Sequence, residues 1–219
     1  MRAGRGYGRG RGFVNQTVRL VAMTILLGTS PALGAARILA FGDSLTAGLG
    51  LMPNQSFPVQ LAARLKADGY AVIVDNGGVS GDTTADGLAR LDWAMGNHPD
   101  VALVELGAND MLRGLDPKQA AANLDAILAR LTAAKIKVVL LGMKAVSNWG
   151  ADYQRAFDAI YPVLARKYDV LLYPFFLDGV ALDPKLNQGD GLHPNAAGVA
   201  VIVARVAPAV EQLLGPKTE

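Results

Sequence analysis

The chain has 219 residues, 51% of them hydrophobic and 18% charged, enough for one globular domain with a sizeable core. The net charge of +2 misleads, because five arginines lie in residues 1–36 with no acid among them; without that segment 16 basic residues face 19 acidic ones, a net charge of −3. A mildly acidic body offers no surface for nucleic-acid phosphates, and the absence of cysteine excludes disulfides, a thiol nucleophile, thiolate metal sites and a lipid-modified N-terminal cysteine.

Residues 1–36 read as a cleavable export signal, leaving 37–219 as the mature domain. Arginines come first, then the apolar stretch "LVAMTILLG", then "TSPALGAA" with small residues suited to cleavage after Gly34 or Ala36. The apolar stretch is shorter than the roughly 20 residues of a membrane span, so no stable span is expected. Two readings compete, an uncleaved anchor and an Arg-Gly-rich RNA-binding segment in "RGYGRGRG"; the latter has no basic domain behind it. No adjacent arginine pair supports the twin-arginine route. Export would carry the protein to the periplasm or out of the cell.

From residue 37 onward, apolar runs alternate with helical patterns. "RILAF" (37–41), "AVIVD" (71–75), "VALVEL" (101–106), "KVVLLG" (137–142) and "DVLLYP" (169–174) are short and continuously apolar, as strands covered on both faces must be. Helical spacing fits 56–68, 84–95, 116–134, 152–167 and 195–213, the last with a kink expected at Pro208. In 116–134 a stripe of Leu124, Ile127, Leu128 and Leu131 follows the N-cap and first-turn pair Asp116-Pro117. Five strands alternating with helices imply an α/β, flavodoxin-like three-layer sandwich with a parallel sheet of order 2-1-3-4-5.

In that order the first three strands are neighbours, and the segments after them converge. The first ends in Gly42-Asp43-Ser44, the second leads into "GGVSGDTT" (77–84), and the third into "GAND" (107–110). A serine hydroxyl there is a poor nucleophile unless a base, usually histidine oriented by a carboxylate, stands beside it. Of two histidines, His98 in "GNHPD" precedes the third strand and lies at the opposite edge of the sheet, where a solvated loop residue is expected. His193 in "GDGLHPN" follows the fifth strand, with Asp190 three residues before it; in a turn that carboxylate can bind one imidazole nitrogen while the other faces Ser44. Taken alone the same segment reads as ordinary turn chemistry, with Asn195 capping the last helix. Acyl transfer would also need oxyanion donors, for which the Ser44 and Gly81 amides and the Asn109 side chain are candidates. Asp43 and Asp82 read as loop-bracing acceptors.

These blocks together resemble the SGNH (GDSL) hydrolase superfamily. Gly42-Asp43-Ser44-Leu45, "SGDT" (80–83), "GAND" (107–110) and "DGLH" (190–193) match its four blocks in order. The surrounding "SGDTTADGLARL", "VALVELGANDMLRG" and "FDAIYPVLARKYDVLLYPFF" resemble its bacterial periplasmic arylesterase, thioesterase and lysophospholipase subgroup. The resemblance implies a serine esterase with Ser44 as nucleophile, His193 as base, Asp190 as its partner, and Ser44, Gly81 and Asn109 as the oxyanion hole. It implies no cofactor and no metal. Ala108 stands where close relatives often carry glycine. No G-x-S-x-G elbow occurs, so the α/β-hydrolase template is not supported.

For the substrate, a small-molecule acyl or aryl ester or thioester, Met111, Leu112, Leu115 and Trp149 are the candidate pocket residues; Leu112 and Leu115 read equally as packing beneath their loop. Arg113 reads as a head-group contact or as a solvated side chain. A carbohydrate O-acetyl esterase is the rival activity and would need a short pocket in polar surroundings. A binding module that kept the fold without the activity is the rival class. Nothing in the pattern bears on oligomeric state.

Overall fold

The computed structural model describes residues 34–217; residues 1–33, nearly all of the expected export signal, lie outside the described residues. Five parallel strands form one sheet: β1 Ala36–Gly42, β2 Val72–Gly78, β3 Val101–Glu105, β4 Lys137–Leu141 and β5 Leu171–Tyr173, in the order β2-β1-β3-β4-β5. This is the expected α/β sandwich and strand order. Ile38–Phe41 of β1, Val101–Val104 of β3 and Val138–Leu141 of β4 are buried, because helices cover both faces of the central strands. Each buried Val, Leu, Ile or Phe side chain among them contributes about 1.5–3 kcal/mol on leaving water.

The helices are α1 Ser44–Ala47, α2 Phe57–Ala67, α3 Thr84–Ala94, α4 Ala108–Leu112, α5 Pro117–Ala133, α6 Ala151–Asp158, α7 Ile160–Tyr168 and α8 Ala196–Glu211. They group into two layers, α2 with α8 and α3 with α5, α6 and α7. The stripe of α5 is buried as its spacing requires, and Asp116 caps it by accepting from the Lys118 N–H at 2.9 Å. Asn195 caps α8, which runs from Ala196 to Glu211 with Pro208 inside it.

Two expectations are corrected. The helix expected over 152–167 is divided into α6 and α7 at Ala159. Pro162 has no N–H to give the Asp158 carbonyl four residues earlier, so the ladder fails there. Strand β2 also runs three residues past Asp75, through Asn76, Gly77 and Gly78, alongside β1. Its register sets Gly42 between Gly78 on one side and Glu105 on the other. The carboxyl ends of β2, β1 and β3 therefore meet at one point.

Candidate active site

Ser44 begins where β1 stops. Asp43 is the N-cap of α1, its Oδ1 accepting from the Leu45 N–H at 2.9 Å, so the chain turns from strand to helix within one residue. A side chain at Gly42 would collide with the Thr46 hydroxyl and the Glu105 carboxyl, which leaves glycine as the residue that fits. Ser44 is 8% exposed, enough to present its hydroxyl to a cavity while its backbone is locked.

His193 reaches that hydroxyl from the far end of the sequence. Its Nε2 lies 2.8 Å from Ser44 Oγ, and its Nδ1 lies 2.6 Å from Asp190 Oδ2. Asp190 Oδ1 accepts from the N–H groups of Leu192 at 2.9 Å and His193 at 3.0 Å, closing the turn that aims the ring. These bonds, the two backbone ones first, hold the Asp190 carboxyl down to about 2. An acceptor on Nδ1 makes that nitrogen the N–H, which leaves Nε2 free to accept from serine. Gln188 pins the loop: its N–H donates to the His193 carbonyl at 2.7 Å, and its side-chain amide donates to Leu49 O at 2.8 Å and Pro194 O at 3.0 Å.

Ser44, Gly81 and Asn109, the three expected donors, border one cavity. Gly81 takes φ +90°, a conformation that favours glycine, and its Cβ position opens outward with only Arg113 within 4 Å. Among the described residues, the N–H groups of Ser44 and Gly81 donate to no protein acceptor. The Asn109 amide is oriented by its two acceptors, donating to Asp43 Oδ2 at 3.1 Å and to Asp82 O at 3.0 Å.

Charges missed in the sequence hold these loops in place. Arg90 of α3 donates to Asp82 Oδ2 at 2.5 Å and to the carbonyls of Gly77 and Gly42, each at 2.9 Å, with its guanidinium 4.4 Å from the centre of the Phe41 ring. Asp110 accepts from both the N–H and the hydroxyl of Thr84, tying α4 to the head of α3. Arg113 donates to the Gly81 carbonyl at 2.8 Å, so it braces the glycine turn instead of standing free in solvent. Beneath Ser44 lie two buried carboxyls. Burial pushes Asp43 up to about 6 and Glu105 well above the usual carboxylate range, the charge of Asp43 adding to the second effect.

A cavity of about 560 Å³ opens from Ser44, Gly81, Asn109 and His193. Met111 and Leu112 line it, while Leu115 and Trp149 are not among its lining residues. Trp149 packs over Gly114 and, 6.2 Å between ring centres, against Tyr153, whose hydroxyl donates to Leu115 O at 3.0 Å. That pair braces the loop from behind. The remaining wall comes from Leu49, Met143, Val146, Phe175, Leu177 and Leu192, in the loops after α1, β4 and β5 and beside His193. His98 is exposed, just before β3 and at the opposite edge from the cavity. The described residues contain no group of three or more His, Asp or Glu side chains arranged to hold a metal ion.

The model of the GDSL-like lipase/acylhydrolase family matches residues 40–201. The chain is 40% identical to an arylesterase of Vibrio mimicus, covering 81% of this chain and 90% of that protein. It is 38% identical to the thioesterase 1/protease 1/lysophospholipase L1 of Escherichia coli, covering 87% and 90%. Among solved structures, AlinE4, an SGNH-hydrolase family esterase, is 49% identical with a TM-score of 0.70, over 83% of this chain and 98% of its own.

Proposed function

The chain belongs to the GDSL-like lipase/acylhydrolase family and is a carboxylic ester hydrolase, and we propose that it works through an acyl-enzyme on Ser44. One observation carries this reading. Ser44 Oγ, His193 and Asp190 form an unbroken hydrogen-bonded chain at the end of a largely apolar cavity.

His193 Nε2 takes the Ser44 proton as Oγ bonds to the ester carbonyl carbon, and the carbonyl oxygen becomes an oxyanion. The Ser44 and Gly81 N–H groups, spent on nothing else, receive that charge; Asn109 adds a third donor by sharing one amide hydrogen. Asp190, a carboxylate at any working pH, stabilises the imidazolium. The imidazolium returns its proton to the departing alcohol or thiol. Water, deprotonated by the same nitrogen, then attacks the acyl carbon, and Ser44 leaves with the proton as the carboxylic acid is released.

The cavity supports acyl or aryl esters, and thioesters, of medium chain length. A volume of about 560 Å³ walled by Met111, Leu112, Met143, Phe175 and Leu177 exceeds what an acetyl group fills, which speaks against a carbohydrate O-acetyl esterase. Small-molecule esters are the partners this site fits. Residues 1–36 are proposed to export the enzyme to the periplasm or beyond. Among the described residues no helix is long and apolar enough to cross a membrane.

The test is hydrolysis of p-nitrophenyl esters from acetyl to palmitoyl by the full chain, beside Ser44→Ala. The expected result is a rate that peaks at medium chains and falls on the order of 10⁴-fold or more in the variant. Turnover that survives in Ser44→Ala would overturn the nucleophile; a rate confined to acetyl would overturn the substrate class.

A further inference from the structure

Glu105 ends β3 opposite Gly42 and is fully buried. Its Oε2 accepts from the Thr46 hydroxyl at 2.8 Å and from the Asp43 N–H at 3.4 Å. Its Oε1 is, among the described residues, the one buried side-chain oxygen or nitrogen with no protein partner. An ionised carboxylate there would keep a full charge and an unmet acceptor away from water. Among the described residues no cation is bonded to it. Arg90, which reaches this end of the sheet, is spent on Asp82, Gly77 and Gly42.

The second carboxyl in this pocket, Asp43, is also fully buried, and its backbone N–H points at Glu105 Oε2. Two negative charges do not share so dry a site, whereas one proton held between them satisfies both groups. The donors decide where that proton sits. Asp43 accepts from the Leu45 N–H on one oxygen and from the Asn109 amide on the other, so its charge is solvated by the protein. Glu105 has no donor on Oε1, so a proton there completes it and turns it into a donor.

We propose that Glu105 is a positioning residue that works uncharged: its carboxylic acid donates to Asp43, and Asp43 so held fixes the Leu45 N–H at the head of α1 and the Asn109 amide. Glu105 touches no reacting atom. It acts through Asp43 on the two elements that set the oxyanion donors, the first turn of α1 and the Asn109 side chain. Its kinetic consequence rests on the reading of Ser44 and Asn109 given above; its protonation state does not.

Two measurements on the full chain test this. The infrared difference spectrum of wild type minus Glu105→Gln at neutral pH should contain the C=O stretch of an undissociated carboxylic acid, shifting in D₂O. In ester hydrolysis, Glu105→Gln, which still donates to Asp43 and accepts from Thr46, should keep kcat within about threefold, while Glu105→Leu should lower kcat on the order of tenfold or more with KM little changed. An absent acid band, or one that persists in Glu105→Gln, overturns the proposal. So does a folded Glu105→Gln as impaired as Glu105→Leu, which would mean that the charge is needed, or a Glu105→Leu with wild-type kcat. If Glu105→Leu does not fold, the glutamine variant and the spectrum decide. Should Ser44→Ala retain turnover, the catalytic reading falls while the infrared result still reports on Glu105.

Discussion

The Arg90 guanidinium lies 2.5 Å from the Asp82 carboxylate and reaches the carbonyls of Gly42 and Gly77 with its remaining nitrogens. One side chain of α3 thus gathers the ends of β1 and β2 and the glycine turn that carries Gly81. The two partners are only 17% and 11% exposed, so water does little to screen them. Arg90→Ala leaves Asp82 buried without its cation and should cost about 3 kcal/mol in a urea unfolding titration. Arg90→Lys keeps the charge and loses the planar fork, so it should recover only part of that. Full recovery by lysine would mean that the carbonyl contacts contribute nothing.

The proposed triad makes a graded demand on its members. Asp190→Asn keeps the shape of the loop but offers the wrong group to Nδ1, and should lower kcat on the order of 10³- to 10⁴-fold with KM nearly unchanged. Single-turnover acylation by a p-nitrophenyl ester would measure this. A loss of tenfold or less would show that the Asp190 charge is dispensable.

Gly81 should resist substitution for a reason other than space. Its φ of +90° strains any side chain, yet the nearest atom to a Cβ would be Arg113 Nη2 at 3.8 Å. Gly81→Ala should therefore cost about 1–2 kcal/mol in backbone strain and move the N–H away from the proposed oxyanion position. The expected signature is a fall in kcat on the order of 10²-fold with little change in KM, read from initial rates.

Asp43 supplies a test in pH. Burial raises its carboxyl from the ordinary 3.8 to about 6 in the folded protein. The fold thus favours the protonated form. The stability this contributes is complete below about pH 4 and is lost as pH rises through 6. The difference in unfolding free energy between wild type and Asp43→Asn should slope between those limits, wild type losing ground as pH rises. Parallel profiles would contradict the raised value.

The cavity wall and its brace can be separated. Met143→Trp, inside the wall, should move the preferred p-nitrophenyl ester to shorter chains. Trp149→Ala, outside it, should leave chain preference unchanged while costing about 1–2 kcal/mol through lost packing on Gly114 and Tyr153. A change of preference in Trp149→Ala would return that residue to the substrate.

The sheet was legible because its central strands are apolar on both faces, a pattern that admits few alternatives to a covered parallel sheet. Ser44, His193 and Asp190 could be grouped because only two histidines exist and strand order excludes His98. Leu115, in the loop after Asn109, and Trp149, in the loop 145–150, read as pocket residues because both are apolar and both loops follow strands at the site edge. Which way a loop side chain turns depends on what packs behind it, here Gly114 and Tyr153. Arg90 and Glu105 carried no local signal: their partners lie between 8 and 62 residues away, and a charged residue in a helical or apolar pattern reads as solvated until those partners are known. The division at Ala159 was readable from Pro162, which the helical spacing around it concealed.

The hydrogen bond from Ser44 to His193 spans 149 positions of the chain. During synthesis or refolding, β1 to β4 can pair and bury most of the core while Ser44 is still an ordinary alcohol. On the proposed mechanism, chemistry requires the segment carrying Gln188, Asp190 and His193 to close against the loop at Leu49. On that reading, a copy in which this segment has not closed has no base beside Ser44, so activity reports that two distant parts of the chain have met.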